Sequence, residues 1–351
     1  MGAGGREGGT TGIPHGGSVI ERLRDAVAGA LPRWGLPRDL PVALLEISEN
    51  ATFLAGDPVH RPGPRVVVRA YRPGYHTLPE IASELAWLEA IGRDTDIAVA
   101  APVPLAGPPD ETVAGRFLTA LDQGADEPSR IVAAFEHVEG VEPVLRAGTF
   151  RRIGALTARL HAHARGWARG AMPRRGRWTH DETIGGGARW GRWEDAPGLG
   201  PEECELLRRM SERLRQRLEA FGTGPDRFGL IHADLRAANL IEDGRGLTAI
   251  DFDDCGFGWH AYDFAAAISF EETHPDAALW REEWLAGYRS ERPFPREQEA
   301  MLGDMVMLRR MLLTAWVATH AETATAAARP GFTRGTLELA ERTLVTGSPL
   351  P

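Results

Sequence analysis

Residues 231–240 read IHADLRAANL, and residues 250–254 read IDFDD. In the first segment His232 is followed two positions later by Asp234 and five positions after that by Asn239. In the second segment Asp251 ends an apolar run. Polar side chains at the ends of short apolar segments are typical of loops that carry functional groups on a rigid scaffold. These four residues are therefore the first candidates for a chemical site.

The stretch between the two segments predicts a β-hairpin. Its sequence, LIEDGRGLTAIDF, contains two short apolar strands around a tight turn at Asp243–Gly246. Asn239 precedes the first strand and Asp251 closes the second, so a hairpin brings these side chains together. An amide and a carboxylate oxygen suit a hard cation such as Mg²⁺, held jointly with substrate phosphates. Asp234 lies on the preceding loop, where it can orient or deprotonate an attacking hydroxyl group.

The pattern His-Ala-Asp-x₄-Asn followed by Asp251 resembles the catalytic loop and metal-binding aspartate of the protein-kinase-like superfamily. Alanine after the histidine, and IDFDD in place of DFG, are similar to the aminoglycoside phosphotransferase/choline kinase family, near its bacterial homoserine-kinase-like and stress-response-kinase-like branch. The resemblance covers most of residues 40–325. It implies an α+β, bilobal protein-kinase-like fold with a small antiparallel-sheet N-lobe and a larger, mostly helical C-lobe.

The same resemblance implies two cofactors, ATP and Mg²⁺, and a role for each residue of the pattern. Asp234 is the catalytic base or positioning group, His232 braces the loop, and Asn239 and Asp251 bind Mg²⁺. Asp263, in the segment YDFAAA, resembles the family aspartate that stabilises the catalytic loop.

The segment ENATFLAG at 49–56 is similar to the hairpin that covers the nucleotide in this family, although it lacks the G-x-G-x-x-G pattern. Ser48, Asn50 and Thr52 would contact phosphate there, with a less close backbone approach than glycines allow. The segment FEHVEG resembles the inter-lobe linker. The backbone groups of Glu136 and Val138 would bind the adenine edge.

The strand RVVVRAY at 65–71 resembles the one that carries the phosphate-pairing lysine, and Arg69 occupies that position in a chain without lysine. Arginine keeps the charge and can contact two phosphate oxygens, but the two residues are not interchangeable. An ordinary strand-end arginine on the surface is the alternative. The helix that starts with the capping box TLPE at 77–80 is similar to the helix carrying the glutamate partner, here Glu84.

Patterning divides the chain into a tail and two lobes. Strand-like apolar runs dominate to about residue 135, and helical periodicity dominates afterwards. The helical patterns cover residues 150–164, 201–220 and 296–322. The predicted organisation is a disordered tail over 1–17, an N-terminal nucleotide-binding lobe over 18–135, a linker over 136–140, and a helical C-terminal lobe over 141–345 that carries the catalytic loop and the acceptor site.

Composition limits the partners. A net charge of −9 argues against nucleic acid, whose backbone requires a cationic surface. No apolar stretch approaches the roughly 18 residues of a membrane span, so no membrane partner is expected. Two cysteines without a pairing pattern indicate a reducing cytoplasm.

The acceptor side is less defined. Acidic and polar candidates are Asp254, His260, Glu271 and Glu272. Trp190 and Trp193 either pack a long loop or form a cation–π wall. Arg309 and Arg310 either read a substrate carboxylate or pair with nearby acids. His161 and His163, two residues apart on a helix, are expected to be core or surface histidines.

Asp251 and Asp263 are only twelve residues apart, too few for the activation segment of a regulated protein kinase. This spacing favours transfer of the γ-phosphoryl group of ATP to a hydroxyl of a small molecule, such as an aminoglycoside, an amino alcohol or a homoserine-like compound. Two alternatives stay open. One is a Ser/Thr protein kinase of the stress-response type, and the other is a nucleotide-binding pseudokinase module. The sequence does not indicate an oligomeric state.

Overall fold

The computed structural model describes residues 16–47, 50–57, 63–110, 113, 115–121, 129–171, 173–320 and 324–350. Residues 1–15 of the predicted 1–17 tail and the phosphate candidate Ser48 lie outside these residues. Gly16 and Gly17, which the sequence assigned to the tail, belong to the first helix. No helix in the described part of the chain is both long and apolar enough to cross a membrane.

The described residues form an α+β fold. The strands are β1 (Val42–Ile47), β2 (Ala51–Ala55), β3 (Val66–Ala70), β4 (Leu118–Leu121), β5 (Arg130–Glu136), β6 (Phe228–Ile231), β7 (Leu240–Glu242), β8 (Leu247–Ala249) and β9 (Gly256–Trp259). The α-helices are α1 (Gly16–Ala30), α2 (Leu78–Asp94), α3 (Thr149–Ala171), α4 (His180–Ile184), α5 (Pro201–Phe221), α6 (Tyr262–Ala267), α7 (Ala277–Glu291), α8 (Arg296–Glu299), α9 (Leu302–Thr319), α10 (Ala324–Ala327) and α11 (Phe332–Thr346). Short 3₁₀ turns occur at Leu31–Trp34, Trp193–Asp195 and Ala237–Asn239.

These elements form two compact units, as expected for a bilobal fold. The first contains the described residues up to His76 and those of Val103–His137, and the second contains Thr77–Pro102 and those from Val138 onward. Helix α2 belongs to the second unit because its contacts are there. Trp87 Nε1, for example, donates to His163 Nδ1 at 3.2 Å. The predicted boundaries at 135 and 141 stay a prediction.

The first unit is an antiparallel sheet in the order β1-β2-β3-β5-β4. The β-branched run Val66–Val68 lies in a central strand whose residues are mostly buried. Helix α1 packs an apolar side against the sheet, where Leu23 and Val27 join the core around Phe53 and Val132. The predicted small antiparallel-sheet lobe is therefore confirmed as a fold element.

Two local expectations from the sequence are corrected. The helical pattern over 296–322 is interrupted, and it forms α8 and α9. Strand β9 was not predicted. It pairs with β6, from Phe228↔Trp259 to Ile231↔Gly256, and this pairing joins segments too far apart in the chain for a periodicity argument to find.

In the second unit, α3 and α7 cross at very short range because each contributes a glycine. A Cβ atom on Gly154 would lie 2.1 Å from the carbonyl oxygen of Trp284, and one on Gly287 would lie 1.8 Å from that of Arg151. This approach places His161 of α3 beside Tyr288 of α7. The crossing thus fixes a buried polar pair behind the catalytic loop.

Gly287→Ala is expected to destabilise the protein by about 1–3 kcal/mol, because the added methyl group must push the two helices apart. The measurement is urea unfolding of both proteins. Gly166→Ala, also on α3, is the control. A Cβ there meets nothing within 4 Å, so a gain of up to about 1 kcal/mol in helix propensity is expected. Equal unfolding midpoints for Gly287→Ala and the unmodified protein would contradict the close crossing.

Candidate active site

The loop between β6 and β7 is held in an unusual backbone conformation. Ala233 has φ = +66°, in the left-handed region that a residue with a side chain adopts at a cost of about 1 kcal/mol or more. The carboxylate of Asp263 secures this turn, accepting the backbone N–H of His232 at 3.2 Å and that of Ala233 at 2.7 Å. The expectation that Asp263 stabilises the loop is confirmed.

A buried chain of hydrogen bonds continues behind Asp263. Its Oδ2 lies 2.9 Å from His161 Nε2, and His161 Nδ1 lies 2.9 Å from the hydroxyl of Tyr288. Burial lowers the pKa of His161 and raises that of Tyr288. A neutral imidazole then donates from Nε2 to Asp263 and accepts from Tyr288 at Nδ1. His161 is accordingly a core histidine, as the sequence analysis expected.

His232 connects the loop to the hairpin. Its Nε2 lies 3.2 Å from the carbonyl oxygen of Ile250, and its Nδ1 accepts the backbone N–H of Asp234 at 3.3 Å. The imidazole also packs against Phe252, with ring centroids 4.4 Å apart. The fully buried His232 side chain thus lies on the loop beside the end of β8, in the bracing position predicted for it.

The predicted hairpin is present, with Asn239 directly before β7 and Asp251 two residues after β8. Strands β7 and β8 pair from Leu240↔Ala249, and the N–H of Ile250 donates to the carbonyl of Asn239 at 3.0 Å. The Asn239 side chain donates from Nδ2 to Asp234 Oδ2 at 2.6 Å and to the Asp234 carbonyl at 2.8 Å. Asp234 and Asn239 therefore form a hydrogen-bonded pair, and Asp251 directly follows the residue that bonds the Asn239 carbonyl.

The side chains of Asn239 and Asp251 fit a hard divalent cation. Because Asn239 uses its amide N–H groups on Asp234, its Oδ1 is the side-chain atom suited to a cation. Asp251 is exposed and has φ = +56°, so it adds a carboxylate oxygen on a constrained backbone. Oxygen ligands of this kind are those that Mg²⁺ and Ca²⁺ prefer. No group of three or more His, Cys, Asp or Glu side chains converges within the described residues, so phosphate and water oxygens would complete the coordination.

Arg309 is a residue of the site that sequence reasoning did not place. Its Nη2 donates to Asp234 Oδ1, although the two are 75 positions apart. Burial alone disfavours its charge, but Tyr262 and Asp234 more than offset this and raise the pKa of Arg309 above its ordinary value. Of the two readings of Arg309, pairing with an acid is confirmed, and the acid is the predicted catalytic aspartate.

Arg175 is a second residue that sequence reasoning missed. It donates from Nε to the carbonyl of Cys255 at 2.5 Å, from Nη1 to that of Glu80 at 3.0 Å, and from Nη2 to that of Asp253. These bonds connect the loop after Asp251 to the start of α2. Arg175 comes from an arginine-rich segment without periodicity, so no sequence signal could have found it.

Helix α2 carries the predicted partner of Arg69, Glu84, one turn after Glu80. The side chain of Glu80 accepts the N–H and the hydroxyl of Thr77, both at 2.9 Å, so it closes the predicted capping box. Glu84 is fully buried. Arg69 belongs to the first unit, where it is 8% exposed and lies over the Phe135 ring at 5.1 Å. It is therefore a buried arginine.

The other nucleotide candidates lie at strand ends. Asn50 Oδ1 accepts the backbone N–H of Arg72 at 3.0 Å, and Thr52 pairs with Arg69 across β2 and β3. Glu136 is the exposed last residue of β5, and Val138 is half-buried.

Among the acceptor-side candidates, five besides Arg309 are part of the packed interior. Trp190 and Trp193 are 7% and 3% exposed, which confirms that they pack the loop. His260 is buried and stacks on His161 with ring centroids 4.7 Å apart. Glu272 accepts Arg310 Nη1 at 2.6 Å, and both are buried. Asp254 and Glu271 are partly exposed and remain acceptor candidates.

The antiparallel sheet, the helical unit and the Asp234 cluster define a kinase-like phosphotransferase. The chain belongs to the phosphotransferase enzyme family, whose family model matches residues 43–300. It is similar to a microcompartment-associated aminopropanol kinase, with 41% identity and a TM-score of 0.80 over 91% of this chain and 97% of that one. Amicoumacin kinase of Bacillus subtilis (strain 168) is 24% identical over 66% of this chain and 67% of the relative. Amicoumacin kinase hAmiN, solved with AMP-PNP, Ca²⁺ and Ami, has a TM-score of 0.72 at 20% identity over 96% and 98% of the two chains.

Stability is expected to fall as the pH drops below about 6.5. Burial lowers the pKa of both His161 and His260, so below that pH the unfolded chain binds protons that the native protein does not. The contribution of these two histidines to the free energy of unfolding is complete above about pH 6.5 and is lost as the pH falls. Calorimetry at pH 7.5 and 5.5 should show a smaller drop in Tm between the two pH values for His260→Gln than for the unmodified protein. His274→Gln, at a partly exposed histidine, is the control. An unchanged drop in His260→Gln would contradict this assignment.

Proposed function

We propose that the protein is an ATP-dependent kinase that transfers the γ-phosphoryl group to a hydroxyl of a small amino alcohol, with Mg²⁺. The observation that carries this proposal is the hydrogen-bonded Asp234–Asn239 pair, on the hairpin that ends before Asp251, in a member of the phosphotransferase enzyme family. The choice of acceptor class rests on the 41% identity to an aminopropanol kinase over nearly the whole chain. Aminoglycosides and homoserine-like compounds are the other acceptors to be tested.

In this proposal Asp234 accepts the hydrogen bond of the acceptor hydroxyl and aims its oxygen at the γ-phosphorus. The new O–P bond forms as the bond from that phosphorus to the β–γ bridging oxygen breaks, and ADP leaves. The hydroxyl proton passes to Asp234 or to water. Asn239 and Asp251 hold Mg²⁺, which when bound offsets negative charge on the phosphates. His232 keeps the loop in place.

The nucleotide-binding roles are also proposals. Arg69 would contact phosphate oxygens and Glu84 would be its partner, while Asn50 and Thr52 would contact phosphate from the β1–β2 hairpin. The backbone of Glu136 and Val138 would bind the adenine edge.

An ammonium group on the acceptor would be attracted by Asp254. This residue is partly exposed, and its charge acts on both Tyr262 and Arg309, so it lies close to the Asp234 cluster. Glu271 is the second candidate.

The connection after the catalytic hairpin favours a small acceptor over a protein substrate. The residues between Asp251 and α6 include β9, which is paired with β6, so this connection is occupied by regular structure. Protein kinases use the corresponding region as a longer activation segment.

The cysteines fit the reducing cytoplasm that we propose as the location of the protein, because Cys204 and Cys255 are free. Burial raises the pKa of the Cys255 thiol to about 12, so this thiol is unreactive.

Acceptor-dependent release of ADP is the direct test. Amino alcohols, choline, homoserine, aminoglycosides and a generic basic protein are each supplied with ATP and Mg²⁺, and ADP is measured in a coupled assay. We expect turnover with an amino alcohol and a loss of at least about 100-fold in Asp234→Asn, because an amide orients the hydroxyl poorly and carries no charge. Turnover with the basic protein alone would favour the stress-response type of protein kinase.

A titration of ATP with and without Mg²⁺ addresses the pseudokinase alternative. Binding that does not depend on the metal, together with no ADP release from any acceptor, would replace the enzyme proposal with a nucleotide-binding module.

Arg69→Met is expected to lower kcat/KM for ATP at least about tenfold, because the variant keeps the apolar stem but loses the cation that would contact phosphate. Arg69→Lys should retain part of the activity, since lysine keeps the charge. Steady-state kinetics with ATP as the varied substrate measure both effects, and the exposed Arg38→Met is the control. Unchanged kinetics in Arg69→Met would exclude Arg69 from the nucleotide site.

A further inference from the structure

The guanidinium of Arg309 is held on several sides. Nε donates to the hydroxyl of Ser269 at 3.2 Å, and Nη1 donates to the carbonyl of Ala233 at 3.2 Å and to the hydroxyl of Tyr262 at 3.4 Å. The centroids of the Trp190 and Tyr262 rings lie 5.2 and 5.9 Å from its Cζ. The Arg309 side chain is only 2% exposed. Its remaining donor group, Nη2, therefore points at Asp234 in one orientation.

The carboxylate of Asp234 is consequently contacted on both oxygens. Oδ1 accepts from Arg309, and Oδ2 accepts from Asn239 at 2.6 Å and lies 3.4 Å from Arg236 Nε. A carboxylate oxygen has two acceptor positions, so Oδ1, which has one donor, can still receive the hydroxyl of an acceptor. Donors on both oxygens restrict rotation of the carboxylate about its Cβ–Cγ bond.

Arg309 also acts on the residue before Asp234. Ala233, with φ = +66°, has its N–H bound by Asp263 and its carbonyl bound by Arg309. The peptide groups on both sides of this Cα are thus held by buried charges. Loss of Arg309 would release both the backbone turn and the side chain that follows it.

We infer that Arg309 is a positioning residue for phosphoryl transfer, which fixes the orientation of the Asp234 carboxylate toward the acceptor hydroxyl. The inference rests on the proposed function of Asp234. It also assigns a role to Trp190, whose ring covers the guanidinium and so connects the 173–200 segment to the site. Lysine cannot substitute, because a single ammonium group cannot donate in these directions and stack flat on the rings.

The charged and titratable groups that face Asp234 come from several elements. Arg236 and His232 belong to its own loop, Arg309 reaches it from α9, and Tyr262 of α6 and Asp254 act through Arg309. Removing the Arg309 charge leaves the carboxylate with fewer cationic partners. Without Arg309, Oδ1 loses its donor, and only Asn239 and Arg236 on Oδ2 still orient the carboxylate.

Two matched substitutions on α9 test the inference. Arg309→Met removes the donors and the charge but keeps an apolar stem. Arg310→Met is the control, because Arg310 is the next residue, is equally buried, pairs with Glu272 and stacks on Phe332, yet does not contact Asp234. We expect kcat to fall about 100-fold in Arg309→Met, while KM for ATP stays within about threefold of the value for the unmodified protein. In Arg310→Met, measured below its unfolding temperature, kcat should stay within about threefold of the unmodified value.

Three readouts separate positioning from a structural role. In Arg309→Met the loss should fall on kcat and leave KM for ATP nearly unchanged, while Arg310→Met should show neither change. Arg309→Lys should remain close to Arg309→Met. Added guanidinium chloride at millimolar concentration should restore part of kcat in Arg309→Ala, where it can occupy the space beside Trp190 and Tyr262. An unchanged kcat in Arg309→Met, or an equal loss of kcat in both methionine variants without rescue of Arg309→Ala by guanidinium, would overturn the inference.

Failure of the proposed function has a different signature. If the unmodified protein turns over no acceptor, that proposal fails, and Arg309 is tested by ¹³C NMR of aspartate carboxyl groups, with Asp234 assigned through Asp234→Asn. A change in the chemical shift of the Asp234 carboxyl carbon at one fixed pH in Arg309→Met, but not in Arg310→Met, supports the contact between the two side chains. No change would exclude it.

Discussion

The bonds from the Asp263 carboxylate to the amides of His232 and Ala233 are the constraint on which the site depends. They hold Ala233 in a left-handed backbone conformation that is unfavourable for alanine, and this turn sets the direction in which the Asp234 side chain points. Because the carboxylate is fully buried, water cannot replace it as acceptor, and each amide left unpaired would cost about 1–3 kcal/mol. A single side chain of α6 therefore determines the geometry of a loop about thirty residues earlier in the chain.

The packing of α3 against α7 also helps to fix the position of this carboxylate. The glycines at the α3–α7 crossing bring His161 and Tyr288 into hydrogen-bond contact, and His161 orients Asp263. Because the His161 imidazole and the Tyr288 phenol are neutral, the chain of hydrogen bonds carries one negative charge and contains no buried cation. Apolar packing and the polar site are thus coupled, since a shift of the helices would be transmitted to the loop.

Arginine takes positions throughout the site in this lysine-free protein. Arg175 connects the loop after Asp251 to α2, and Arg309 connects α9 to Asp234. Both use several N–H donors in fixed directions, mostly toward carbonyl oxygens, which the single ammonium of lysine cannot reproduce. The guanidinium group here acts as a rigid connector between segments as well as a charge.

The sequence by itself determined the hairpin of β7 and β8, since a short turn between two apolar strands pairs them, and the spacing from His232 to Asn239 is local. It also determined the capping box of α2, the small sheet and the position of Asp263, for which the family resemblance supplied the role. Only the tertiary structure decided that β9 pairs with β6, that Arg309 contacts Asp234, that Arg175 anchors the following loop, and that Glu272 and His260 are buried. The reason is physical. Local patterns follow from backbone geometry over a few residues, whereas these contacts join segments whose approach is set by helix packing and by the burial of charged groups with their partners.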